Sequence, residues 1–295
     1  MGVVTGNIQD PHWAWYIVWY FFLGGIAGGA YFLAAIADAF GGPRERPMAK
    51  VGYYLALPLT GICGILLILD LGSPSRFLYM LTEFKWNSPM SVGAWGLAVF
   101  GLFSFVSAAL AYYERGPMPL VDIPEANRVR LRRRVGLAGT LAGFFLASYT
   151  GVLLASTAVP LWTEGRLLGA LFLASGASTG IAAIAVTAWV RGMDLGPLWN
   201  RIHRFDLFAI AWEVILLAAL LVSLGSAADE IVRGGYAPLF WIGLVVAGLV
   251  VPFVLQLRAA ETRHGPATFG MALPAILVLI GGFVLRYVVV MAGPV

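Results

Sequence analysis

The sequence predicts an all-α polytopic membrane protein: a single integral-membrane domain of eight spanning helices, in two four-helix bundles. Three observations lead there. Of 295 residues, 60% are hydrophobic and only 12% are charged, whereas soluble domains carry about 25% charged residues. The apolar residues fall in blocks of about 20, the length a helix needs to cross hydrocarbon. The loops between blocks carry an uneven load of Lys and Arg, as membrane topology requires. Irregular backbone is not tolerated in lipid, and the blocks lack the two-residue alternation of barrel strands, so the spans are helices.

In chain order the spans are 13–40, 51–71, 89–113, 135–159, 167–190, 205–224, 239–257 and 269–291. The first carries two glycine pairs at four-residue spacing, Gly24/Gly28 and Gly25/Gly29, and closes on Asp38. The second contains Pro58 and is stopped by Gly72, Ser73 and Pro74, because proline lacks an N–H and drives its predecessor out of the α region. Between the third and fourth, residues 114–134 read as an exposed basic connector. The fourth and fifth repeat the glycine spacing at Gly139/Gly143 and Gly176/Gly180. Small residues on one face let helices approach closely in lipid, so these pairs predict packing rather than ligand binding. The sixth carries Asp206 and Glu213; Pro252 and Pro274 fall inside the seventh and eighth, where proline kinks a helix. The two halves show no repeat.

The basic residues orient the bundle. Loops after the odd-numbered spans hold fourteen Lys and Arg, six of them at Arg115, Arg128, Arg130, Arg132, Arg133 and Arg134. The opposite loops hold four, Arg76, Lys85, Arg166 and Arg233. That bias puts both termini on the outer side of a bacterial or archaeal cytoplasmic membrane. The first twelve residues lack a basic n-region and a cleavage site, so no removable signal peptide is expected. Net charge is +4, but the arginines cluster in loops and form no aromatic-interleaved stripe, which excludes a nucleic-acid partner.

Several chemistries are excluded next. Cys63 is the sole cysteine, so no disulfide, thiolate cluster or iron–sulfur centre is held within this chain. The histidines, His12, His203 and His264, all read as tail or loop residues, so no haem is expected on axial histidines inside the helices. No metal is expected on this chain.

Two polar sets remain. At ~1.5 Å per residue, Tyr20 lies ~10 Å down the first helix and Tyr149 ~21 Å up the fourth. By the same rise Arg286 lies ~25 Å up the eighth, and Asp70 stands at the outer end of the second. These four converge on the outer third of the membrane, near Trp13, Trp15, Tyr16, Trp19 and Trp162. An apolar, aromatic pocket with a few polar groups suits an amphipathic ring ligand; an aromatic belt with a snorkelling arginine is the alternative. Asp70 is either functional or a helix end paired with Arg76 at the interface. In the inner half, Asp206 and Glu213 are seven apart and share a helix face. With Asp38, they mark a proton route or a structural pairing.

Four stretches in order carry a family resemblance: YFFLGGIAGG at 20–29, DLGSPSRF at 70–77, SPM leading to GAWG across 88–96, and SYTG to PLW across 148–162. They resemble the NrfD/PsrC family, quinone-reactive membrane subunits of respiratory complexes that include polysulfide reductase. The eight-helix count suits the compact form of that family rather than its ten-helix relatives. The resemblance implies a haem-free anchor that exchanges electrons between a quinone (menaquinone or ubiquinone) and an iron–sulfur partner subunit, with a molybdopterin catalytic subunit beyond. It puts the family's quinone-site tyrosine on Tyr149 and its acid on Asp70. A family histidine in the first helix falls on Tyr20; tyrosine, with a pKa near 10, can hydrogen-bond a quinone but accepts a proton poorly at neutral pH.

The expected site therefore has Asp70 exchanging a quinone proton, with Tyr20, Tyr149, Tyr16 and Arg76 around the ring. The expected proton pathway uses Glu213, Asp206, Asp38 and Arg286. Two rivals stand beside this reading. An ion-coupled secondary transporter would need broken helices and related halves, and a passive anchor would bind no quinone.

Overall fold

A computed structural model describes residues 11–42, 45–70, 82–114, 124–157, 159–193, 198–259 and 269–293. Among them are eight helices long and apolar enough to cross a membrane, and no strand. We number them α1 (Pro11–Phe40), α2 (Arg46–Asp70), α3 (Pro89–Tyr112), α4 (Glu125–Ala155), α5 (Leu168–Val190), α6 (Leu198–Leu224), α7 and α8 (Phe269–Ala292). Helix α7 is wound as a π-helix over Leu239–Val250 and as an α-helix over Val251–Ala259. The winding changes one residue before Pro252, whose missing N–H cannot continue a backbone ladder.

Local chemistry sets the ends. Ser88 caps α3, its hydroxyl accepting from the Ser91 N–H at 3.4 Å, and Pro89 takes the first helical position. Helix α5 stops at Gly192, whose φ of 59° is left-handed. The Met193 N–H then returns to the Ala188 carbonyl at 2.9 Å.

Three helices begin earlier than apolarity predicts: α2 at Arg46, α4 at Glu125 and α6 at Leu198. Of the expected connector, residues 125–134 are thus the first turns of α4, and 115–123 lie outside the described residues. Arg128 donates to the Tyr113 carbonyl at 2.8 Å, and Arg132 is fully buried. Hydropathy marks where lipid ends, whereas a helix continues while its polar groups find partners. His203 likewise lies within α6 and is buried, rather than in a loop.

Helices α1–α4 pack as one four-helix bundle and α5–α8 as a second, joined where α1 and α4 meet α5 and where α1 meets α8. Glycine makes the joint. A Cβ on Gly28 would collide with the Gly143 carbonyl of α4, and one on Gly29 with Gly176 and Gly180 of α5. The predicted packing role of these pairs is therefore what the structure has. The start of α1 and the end of α8 lie at one end of the bundles, here the terminal end; the end of α1 and the starts of α2, α4 and α6 lie at the other, the basic end.

Candidate functional site

Helix α1 offers different faces to different neighbours. Tyr20 points into the first bundle and is 5% exposed. Its carbonyl accepts from the Cys63 thiol of α2 at 3.7 Å, and its side chain is within electrostatic reach of Cys63 and Tyr149. Tyr149 of α4 is also buried; its ring stacks on Phe145 with centroids 5.1 Å apart. Across from it, Gly93 of α3 leaves the space the phenol occupies. The Tyr149 hydroxyl donates to the Pro89 carbonyl at the start of α3. Two phenols from α1 and α4 thus lie within electrostatic reach of each other, Tyr20 against α2 and Tyr149 against α3.

Asp70 ends α2 at the same, terminal end of this bundle. It is half-buried, and its Oδ1 is buried without a hydrogen-bond partner among the described residues. It makes no hydrogen bond to either tyrosine among those residues. Arg76 lies outside the described residues, with all of 71–81.

The expected aromatic pocket is redistributed. Trp15 and Trp19 lie on the α8 side of α1, against Phe283 and Tyr287, and are 43% and 42% exposed. Tyr16 is 38% exposed. Trp162 donates to the Val289 carbonyl at 2.7 Å, tying the turn after α4 to α8. Tryptophan spacing along α1 cannot show which seam each ring enters; the partner helices decide that.

The second bundle holds a buried polar chain. Arg286 of α8 is fully buried, so it does not snorkel. Its guanidinium donates to Ser175 Oγ of α5 at 2.7 Å and to the Gly282 carbonyl at 2.8 Å, and lies 5.2 Å from the Phe172 ring centroid. Gly25 of α1 makes room for it, since a Cβ there would lie 2.8 Å from the guanidinium. Glu213 of α6 faces the same Ser175 hydroxyl and feels the charges of Arg286 and Asp206. Arginine can only donate, so Ser175 accepts from it and keeps its own proton for Glu213. Two turns along α6, Asp206 accepts from Ser178 of α5 at 3.0 Å and from Gln256 of α7 at 2.5 Å. All six side chains are buried.

This regroups the sequence expectation. A start of α6 at residue 205 puts Glu213 in the inner half. In the structure Glu213 instead shares the Ser175 hydroxyl with Arg286, so the two lie at one level of the second bundle. Asp38 stands apart, in the first bundle at the basic end. Arg132 grips it twice, Nε to Oδ2 at 2.7 Å and an Nη to Oδ1 at 2.8 Å. Arg132 also lies 3.3 Å from Glu114, which pairs with Lys50. Burial alone would raise the Glu114 carboxyl, but the Lys50 hydrogen bond and the Arg132 charge outweigh it and hold it below the usual carboxylate range.

Sequence reasoning missed Ser175, Ser178, Gln256, Gly93 and Gly25. One signal was present: Ser175 and Ser178, three apart, share a helix face, as do Asp206 and Glu213. Among the described residues no three His, Cys, Asp or Glu side chains converge as metal ligands.

Eight spans, two phenols and a carboxylate oxygen without a partner among the described residues at one end of the first bundle, and a buried polar chain of Arg286, Glu213 and Asp206 in the second define a polytopic membrane protein with polar sites in both bundles. The protein belongs to the NrfD polysulphide reductase family, whose model matches residues 3–295. It is 31% identical to the C subunit of polysulfide reductase from Wolinella succinogenes, over 99% of this sequence and 98% of that one. The NrfD homologue of Haemophilus influenzae is 27% identical over 95% of this sequence and 94% of its own. NrfD of Escherichia coli is 26% identical over 97% and 96%.

Proposed function

We propose that this chain is the quinone-reactive membrane anchor of a respiratory oxidoreductase complex. Family membership supports an anchor of a redox complex over a secondary transporter. An iron–sulfur subunit would dock at the terminal end, on the outer side of the cytoplasmic membrane, with a molybdopterin subunit beyond it. The observation that carries the quinone assignment is the Tyr20–Tyr149 pair with an Asp70 oxygen that has no partner among the described residues, at the same end of the first bundle.

The residues present fit such a ring. A buried carboxylate oxygen without a partner is costly and asks for a hydroxyl or a proton. The Tyr149 proton is committed to Pro89 and the Gly93 N–H reaches its oxygen, which keeps a second lone pair to accept from a quinol hydroxyl. Phe145 and Gly93 fix the phenol in place. Quinone supplies two-electron, two-proton chemistry when bound; Asp70 would exchange the proton at Oδ1, while the tyrosines orient the ring. In the second bundle, Asp206, Glu213, Ser175 and Arg286 form our proposed proton route towards the middle of the membrane. Asp38, closed into its pair with Arg132, takes no part in it.

Purifying the chain with its natural partners tests the proposal. Iron and acid-labile sulfide should accompany it, with molybdenum in the largest subunit and quinone in the extract. A chain that purifies alone, with neither quinone nor an iron–sulfur partner, refutes it.

A further inference from the structure

At the basic end, an open cleft of about 420 Å³ lies between the last turn of α1 and the start of α4. Its walls are Ala39, Phe40, Val129 and Leu137, and three arginines, Arg130, Arg133 and Arg134, line it. The α4 residues fall on one face of that helix, at spacings of one, four, five and eight. Among the described residues none of the three arginines has a carboxylate partner, and Arg133 Nε is buried without an acceptor. The nearby acids are engaged elsewhere: Asp38 with Arg132, and Glu114 with Arg132, Lys50 and Arg46.

The apolar part identifies the partner. Phe40 is 80% exposed beside the arginines. Below them, Leu137, Leu141 and Phe144, also exposed, continue along the same helical face into the membrane span. A soluble anion needs the arginines but gains nothing from this apolar track. A molecule with an anionic head and a hydrocarbon tail uses both.

We propose that this cleft binds an anionic phospholipid, with phosphate oxygens on Arg130, Arg133 and Arg134 and an acyl chain along Leu137, Leu141 and Phe144. Guanidinium groups match phosphate oxygens in pairs. Three of them fit a headgroup with two phosphodiesters, such as cardiolipin's, more fully than a single phosphodiester. The cleft lies at the opposite end of the molecule from Tyr149 and Asp70, so the inference is independent of the quinone assignment.

The test uses the full chain, purified with whatever subunits accompany it and stripped of lipid in detergent. Native mass spectrometry and thermal melting are followed on adding cardiolipin, phosphatidylglycerol, phosphatidylcholine or inorganic phosphate. Cardiolipin should be retained at one per chain and raise the melting temperature, with phosphatidylglycerol weaker and phosphatidylcholine weaker still. An arginine near the surface is worth roughly fivefold in affinity for an anionic lipid. The triple variant R130Q/R133Q/R134Q should therefore lose about a hundredfold, and the single variant R130Q, at an exposed position, roughly fivefold. Equal retention of phosphatidylcholine and cardiolipin by the wild type overturns the proposal without any variant. Protection by inorganic phosphate equal to that by cardiolipin makes this a free-anion site and overturns the lipid. Unchanged cardiolipin binding in the folded R130Q variant overturns the arginine assignment.

Discussion

The buried ion pair at the basic end gives the sharpest stability prediction, because its two halves are unequally supported. Arg132 holds Asp38 with two charge-assisted bonds at 2.7 and 2.8 Å, and both side chains are fully buried. Removing one partner of such a pair costs about 3–5 kcal/mol, since the other is left charged and unpaired. In Asp38→Asn, Arg132 keeps Glu114 at 3.3 Å, so the cost should fall near 3 kcal/mol. In Arg132→Met, Asp38 loses both of these bonds, and the cost should approach 5 kcal/mol. Replacing both with apolar residues of similar size should recover most of either loss. Glu114 adds a pH signature. Its carboxyl is held below the usual range, so its contribution is complete above the ordinary carboxylate pKa and fades as pH falls through the lowered value. Thermal unfolding in detergent, from pH 7 down to pH 3, measures both effects. If Asp38→Asn costs under about 1 kcal/mol, as an exposed pair would, the reasoning fails. If it instead slows proton uptake in an otherwise stable complex, Asp38 belongs to the proton route after all.

Other outcomes follow from the two polar sites and the charge bias. Tyr149→Phe keeps the ring on Phe145 but loses one hydroxyl, worth roughly 0.5–1.5 kcal/mol. Quinone affinity measured by titration should drop about two- to thirteenfold, and an unchanged affinity would move the site. Glu213→Gln should slow proton uptake from the cytoplasm in vesicles and leave quinone affinity nearly unchanged; unaltered uptake with lost stability would make the chain of polar groups structural. Cysteines placed at the chain termini should be labelled from outside, and one at exposed Arg134 only from the cytoplasm; reversed labelling would invert the docking face.

The fold was largely legible because lipid imposes a length and a polarity that composition records directly. The glycine pairs were legible for the same reason: close approach of backbones has few other solutions, and Gly28 and Gly29 meet α4 and α5 as spacing implied. Helix starts were not. Arg132 is charged, so apolarity puts it in a connector, yet it is buried because Asp38 and Glu114 await it on other parts of the chain. The same limit applied to Glu213. Its neighbours Ser175 and Arg286 come from α5 and α8, which no single-helix pattern relates. At the first site, counting residues put Tyr20 and Tyr149 at one level, and the two lie within electrostatic reach, but the direction of Trp15 and Trp19 depended on a seam with α8.

The quinone assignment rests most heavily on Asp70, whose Oδ1 is buried without a partner among the described residues. Asp70→Asn preserves size and polarity and removes the exchangeable proton. Quinone-dependent turnover of the assembled complex, measured alongside subunit stoichiometry and quinone binding, isolates that change. We expect turnover to fall about a hundredfold or more, the scale of a lost general acid–base group, with assembly and quinone affinity retained. Normal turnover in the assembled Asp70→Asn complex would contradict the assignment and leave Asp70 as the polar end of a membrane helix.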